Sequence, residues 1–367
     1  MLFDTRAHGL FAYNDSARQL WELIEAGKAG ADLAASFAEH WGIPRSLAEE
    51  HVQASLAQWR AQGLIGDGEH DPSVGPPSPR IVVDDGSLGR QSTPAFTTIC
   101  TIRGRVFALA VERGLPSSIR ALFAHLETPE AAPQTRLEIK NLGAGEIALL
   151  QDGAQLIRTD DIGQLIGALY QTVLELVHPS LGWLALIHGA AMAKNGAGLA
   201  LPGPSGSGKS TLAAGLLAAG FDYLADDLIA LSAPAGAIVP WPMPLSIKPG
   251  SVDVVAARHP ELKQAASYRT KGLDARLLVP AADAWEQEPV PLRSFVFPRY
   301  AAGSPPELTT LTTFEVIERL LSDRIWLGYP ITEQRVSAFL AWLNDKPAYA
   351  LSFGALDDAV RLIEELP

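Results

Sequence analysis

The segment Gly203-Pro204-Ser205-Gly206-Ser207-Gly208-Lys209-Ser210 constrains this chain more than any other, because it satisfies G-x-x-x-x-G-K-[ST] in full. The run before it, Gly198 to Pro202, reads as a buried strand, and Ser210 to Leu217 reads as a helix opening straight from the loop. That succession is what the pattern needs. Glycines let the main chain turn tightly, so that successive N–H groups converge on phosphate oxygens. The helix start adds partial positive charge at the same point. Gly203, Ser205, Gly206, Ser207, Gly208, Lys209, Ser210 and Thr211 are therefore the candidate nucleotide-binding residues. Lys209 would reach the β- and γ-phosphates, and the Ser210 hydroxyl would ligate Mg2+. With strand, Lys-Ser and helix all in place, a glycine-rich turn that merely caps a helix is the weaker reading.

Downstream, Asp222 to Ala225 reads as a short strand that runs into Asp226-Asp227. Carboxylates at the C-terminal end of a strand in an open α/β sheet sit beside a loop of this kind. One of them can orient or deprotonate an attacking hydroxyl, while the other is near enough to Mg2+ or water to help hold it. The pairs Asp84-Asp85, Asp160-Asp161 and Asp357-Asp358 lack that position and read as solvated acidic turns. His188 ends the apolar run Leu184 to Ile187, and taken alone it reads as a structural histidine.

A length of 367 residues allows two or three domains, and 47% hydrophobic with 19% charged residues fits a globular chain. The formal net charge of -12 repels nucleic acid and anionic membrane, so neither is an expected partner. A local nest of N–H groups still outweighs that diffuse field at contact distance. The single cysteine, Cys100, excludes an intramolecular disulfide and lies in an apolar, strand-like run, as a core residue would. The N-terminus lacks a basic region followed by an apolar stretch, and His188, Lys194 and Asn195 break the apolar window from Leu181 to Leu201. A cytoplasmic protein without a membrane span is expected.

Along the chain, residues 1–66 carry helical patterning. Asn14 can cap a helix with Ala17, Leu20, Trp21 and Ile24 on one face, ended by Gly27. A second helix is expected over about 31–40, burying Leu33, Ala34 and Phe37. A third follows Pro44, with Ala48, Val52, Leu56 and Trp59 on one face and Gly63 as terminator. Residues 67–95 form a Pro/Gly-rich linker, within which 81–83 could add a strand. Residues 96–367 alternate strand and helix, which indicates α/β architecture, with 96–180 as an N-terminal part and 181–367 as the nucleotide-binding core. Strands are expected at 97–111, 135–140, 146–151, 183–188, 197–202, 222–225 and 294–297. Helices are expected at 161–177, 208–219, 313–322, 332–343 and 355–365.

The run from Ile187 to Leu231 resembles the HPr kinase/phosphorylase family and its kinase-like relatives. In that family a His-Gly step precedes the loop and an Asp-Asp pair follows it. Here His188 stands 21 residues before Lys209, and Asp226 stands 17 after it. The resemblance implies a P-loop kinase core over 96–367, with ATP and Mg2+ as cofactors. It makes Asp226 the general base, Lys209 a phosphate-holding catalytic residue and His188 a contact of the γ-phosphate region. Ser210 and Asp227 become the metal ligands, and a homo-oligomer is allowed. Phe295 to Tyr300 adds a likeness to the HPr-kinase-related group of peptide-modification gene clusters.

One departure stands out. The family's Glu-Ile-Arg-Gly element corresponds to Ser246-Ile247-Lys248-Pro249, so a serine replaces the acid and a lysine the arginine. Arg269, Lys271 and Arg299 are further candidates to neutralise transferring phosphate.

Residues 1–66, through Tyr13 to Ile24 and Trp59 to Ile65, resemble PqqD-type domains, small winged-helix-like units that bind leader peptides of ribosomally made precursors. The expected function is thus a Ser/Thr kinase acting on a precursor peptide captured by its leader. A small-molecule kinase of the same fold, or a non-catalytic peptide carrier switched by nucleotide, is the alternative. His-Arg-Asp and Asp-Phe-Gly are absent, so the eukaryotic-type kinase fold is not expected.

Overall fold

The apolar stripes of the N-terminal segment converge on one small core. The computed structural model describes residues 2–4, 9–11, 15–61, 94–116, 118–265, 267–270, 273–281, 284–285, 288–323, 325–327 and 331–366. The chain divides into two compact units, residues 1–78 with 329–333 and the remainder. In the first unit, strands β1 (Leu2–Asp4) and β2 (Gly9–Phe11) pair antiparallel, a hairpin that the sequence pattern had not signalled. Helices α1 (Asp15–Glu25), α2 (Gly30–Trp41) and α3 (Arg45–Ala61) follow. Leu20, Leu33, Ala34, Phe37, Ala48, Val52 and Trp59 bury together, and Trp21 meets Trp59 edge to face at 5.4 Å. Gly42 ends α2 in the left-handed conformation at φ 62, its N–H returning to Ala38. Asn14, Gly63 and the 81–83 strand lie outside the described residues.

The second unit opens with β3 (Pro94–Ile102), β4 (Arg105–Glu112), the short helix α4 (Ile119–Phe123), β5 (Thr135–Gly143), β6 (Glu146–Gln151), β7 (Ala154–Thr159) and helix α5 (Ile162–Val177). The expected single strand over 97–111 is in fact a hairpin. Arg103 (φ 49) and Gly104 (φ 75) turn the chain, and β3 pairs back on β4. The strands lie side by side in chain order, with only β4 and β5 parallel. Leu165, Leu169 and Val173 form the buried side of α5. Asp160 and Asp161 are both exposed, as a solvated pair would be, and Asp161 is in addition the N-cap of this helix, accepting from the N–H groups of Gly163 and Gln164. Cys100 is fully buried, and burial pushes its thiol up to about 11.

The larger sheet begins with β8 (Trp183–Ile187), β9 (Gly189–Lys194), β10 (Ala197–Pro202), helix α6 (Lys209–Ala218), β11 (Asp222–Ala225), β12 (Ile229–Ser232) and β13 (Ala237–Val239). Next come β14 (Leu245–Ile247), α7 (Val252–Ala256), β15 (Ser267–Thr270), β16 (Leu273–Leu278) and β17 (Val290–Tyr300). The chain finishes with β18 (Glu307–Thr310), α8 (Thr313–Ser322), β19 (Ile325–Trp326), α9 (Glu333–Leu343), β20 (Ala348–Phe353) and α10 (Leu356–Glu364). Strand order is β11-β9-β10-β17-β13-β12-β8-β19, with β20 beside β17 and β18 beside β20. A small sheet, β14-β16-β15, stands apart.

Two features of this sheet position the site. β9 is antiparallel to both β10 and β11, so β10 and β11 run the same way and finish at the same edge. β17 and β20 run parallel to β10 and end there too. Helix α6 lies against α10, where a Cβ on Gly215 would come within 2.8 Å of Leu356 and 3.1 Å of Val360. Leu212, Leu216, Leu356 and Val360 share one buried cluster, each contributing about 1.5–3 kcal/mol by leaving water. That packing fixes α6, and with it the loop at its head. Among the described residues no helix is long and apolar enough to cross a membrane.

Candidate functional site

The loop from Gly203 to Gly208 joins the end of β10 to the start of α6. Gly203 (φ 144), Gly206 (φ 95) and Gly208 (φ 101) occupy the left-handed side of backbone space, which side-chain-bearing residues rarely enter. Ser207 closes an inner turn, its N–H donating to the Pro204 carbonyl at 3.2 Å. Gly208 is the N-cap of α6 and offers no side-chain acceptor. The first N–H groups of a helix have no acceptor within the helix. Here they face the loop with the positive end of the helix behind them, which favours an anion. The buried hydroxyl of Ser207 has no hydrogen-bond partner among the described residues, so the loop also holds an unused polar group.

Lys209 is only 6% exposed, and its ammonium donates to the carbonyls of Gly203 (2.6 Å) and Pro204 (3.0 Å). Burial pushes it below the ordinary lysine range, while Asp226, Asp323 and Asp227 pull the other way. Lys248, which stands where the resemblance has an arginine, donates to the Ser205 hydroxyl at 2.5 Å and brings a second cation to the loop. Arg299 is exposed at the end of β17. Lys271 and the side chain of Arg269 lie outside the described residues.

Asp226 follows β11 and is fully buried. Ser210 donates to one carboxylate oxygen at 3.2 Å, and the Ser246 N–H donates to the other at 3.0 Å. Burial, then repulsion from Asp227, raises Asp226 to about 7, against those two hydrogen bonds and the Lys209 charge. Ser246 thus supplies a main-chain donor where the resemblance has an acid. The sequence reading placed the metal on Ser210 and Asp227, but the carboxylate that touches Ser210 is Asp226. Asp227 stands exposed, at φ 63. Ser210 and Asp226 thus form one oxygen pair at the head of α6, with Asp227 next to it in the chain. Oxygen donors of this kind suit Mg2+, which is usually held by one or two carboxylates together with substrate phosphates.

His188 sits in the connection from β8 to β9, at the edge where β10 ends. Its Nδ1 lies 2.8 Å from an Asp323 carboxylate oxygen, with both side chains largely buried. Asp323 follows α8 and adds its field to Lys209, so the fold joins it to the loop although nothing near it in sequence marked it. His188–Asp323 and Ser210–Asp226 are two hydrogen-bonded pairs, and the charges of Asp323 and Asp226 both act on Lys209. A cavity of about 480 Å³ lined by Arg105, Gln134, Gln151, Thr172 and Glu175 shares no residue with it.

No curated protein matches the chain. Residues 1–65 match the family described as coenzyme PQQ synthesis protein D, PqqD. The N-terminal segment is a PqqD-like domain.

Proposed function

We propose that this chain is an ATP- and Mg2+-dependent kinase that phosphorylates a Ser or Thr hydroxyl of a ribosomally made precursor peptide, captured through the PqqD-like domain. The observation that carries the reading is the buried Asp226. It is hydrogen-bonded to Ser210 and lies in the field of Lys209, at the head of a helix whose loop is built for phosphate. A buried carboxyl whose proton affinity is raised by its surroundings, held at the head of the loop, can take the proton of an attacking hydroxyl.

Main-chain N–H groups of the loop and the Lys209 ammonium would hold the β- and γ-phosphates of ATP. Ser210 and Asp227 would hold Mg2+, which when bound supplies neutralisation of phosphate charge, and Asp226 is left to handle the proton. The acceptor hydroxyl oxygen would bond to the γ-phosphorus as the bond to the β,γ-bridging oxygen breaks, and ADP would leave with that electron pair. Asp226 would take the hydroxyl proton and release it to water. His188, held by Asp323, and Lys248 would meet charge on the transferring group. A leader held by the N-terminal domain raises the effective concentration of the distal residues without any new contact.

Ser246 in place of an acid favours the second reading, a nucleotide-switched peptide carrier without transfer. Incubating the full-length chain with ATP, Mg2+ and a candidate precursor peptide separates the two. A peptide mass gain of one phosphate supports the kinase, and ATP binding with no transfer supports the carrier.

A further inference from the structure

Tyr300 is the last residue of β17, the strand that borders β10 on the side away from β9 and β11. Its N–H donates to the carbonyl of Ser207 at 3.0 Å, and the next N–H, of Ala301, donates to Phe353 at 2.9 Å. The side chain is rooted on the loop itself, because a Cβ on Gly208 would lie 3.5 Å from the Tyr300 Cβ. Phe353 supports the ring edge to face, with centroids 5.9 Å apart and planes at 66°. The following turn is pinned as well. Ser304 donates back to Ala301, and a Cβ on Gly354 would come within 2.7 Å of the Ser304 carbonyl. Even so, Tyr300 remains 53% exposed.

A lone exposed aromatic is ordinary. One whose main chain is bonded to the loop and whose ring rests on Phe353 offers a platform beside it. A nucleoside triphosphate whose outer phosphates face Asp226, beyond β11, must carry its ribose and base out of the loop elsewhere. The β17 side is the opposite side of β10, and strands that run parallel in an α/β sheet place ligands beyond their C-terminal ends. The geometry points to Tyr300 as the surface on which the nucleobase stacks, making this a site for a nucleoside triphosphate rather than for bare polyphosphate. This rests on the nucleotide reading above and deepens it. Stacking a base on an aromatic ring is tolerant of base identity and grows with the π-face offered, so purines bind ahead of pyrimidines.

The test is calorimetric titration of the full-length wild type, Tyr300→Ala and Tyr300→Phe with two probes, ATP and inorganic tripolyphosphate, each with Mg2+. The expected result is that Tyr300→Ala weakens ATP about tenfold or more, while Tyr300→Phe stays near wild type. Tripolyphosphate should bind all three chains alike, which also shows that the loop of each variant is intact. Equal ATP affinity in wild type and Tyr300→Ala overturns the proposal, since the base then lies elsewhere. Loss of both probes in Tyr300→Ala overturns it too, since the residue then only supports the loop. If neither probe binds the wild type, the nucleotide reading itself fails.

Discussion

Replacing Asp226 with Asn should stabilise this protein, and more so as pH rises. The buried carboxyl has an ordinary value of 3.8 and is raised to about 7 in the fold. The folded chain therefore keeps the proton longer than the unfolded chain. Stability is greatest below the ordinary value and is lost as pH climbs through the window from about 4 to about 7. At 1.36 kcal/mol per pK unit, the burden of the ionised group is under about 2 kcal/mol at pH 5 and about 4 kcal/mol at pH 8. The difference is about 2–3 kcal/mol.

Asparagine fits the same space and partners. Its carbonyl can accept from the Ser246 N–H, and its amide can donate to the Ser210 hydroxyl. Burial lowers His125 and His178, so these histidines make stability rise with pH and oppose the trend in any single profile. Subtracting the variant from the wild type removes their contribution. In calorimetric scans of metal-free full-length protein, the variant's advantage in Tm should widen by about 3–5 °C from pH 5 to pH 8. Parallel profiles for the two chains would refute the claim that Asp226 is held protonated by its surroundings.

Other consequences are more local. Gly215→Ala places a methyl group against Leu356 and Val360, at the contact of α6 with α10, and should cost about 1–3 kcal/mol in denaturant titration. Asp323→Asn removes the anion that orients His188, and should lower kcat by up to about a hundredfold while the KM for ATP stays within about twofold. A rise in KM with unchanged kcat would assign Asp323 to binding instead.

The loop was legible in the sequence because its motif is contiguous: the glycines, Lys209 and Ser210 that define it all lie between Gly203 and Ser210. The small N-terminal core was legible because helical periodicity marks Leu33, Phe37, Val52 and Trp59 locally. What escaped depends on distance along the chain. His188 meets Asp323 across 135 residues, and Lys248 meets Ser205 across 43. No spacing rule anticipates either. The hairpin at Arg103-Gly104 escaped because β3 and β4 are both apolar, so the turn was the only break between them. The choice between Asp226 and Asp227 turned on a backbone detail. Asp227 adopts a positive φ and stands exposed, and its neighbour takes the buried place beside Ser210.

The most direct test follows phosphate from γ-labelled ATP to a precursor peptide, with ATP affinity measured on the same wild-type and Asp226→Asn samples. The kinase account predicts labelled peptide with wild type, none with the variant, and ATP bound by both. A wild-type chain that fails to bind ATP, or a variant that still labels the peptide at the wild-type rate, would contradict it.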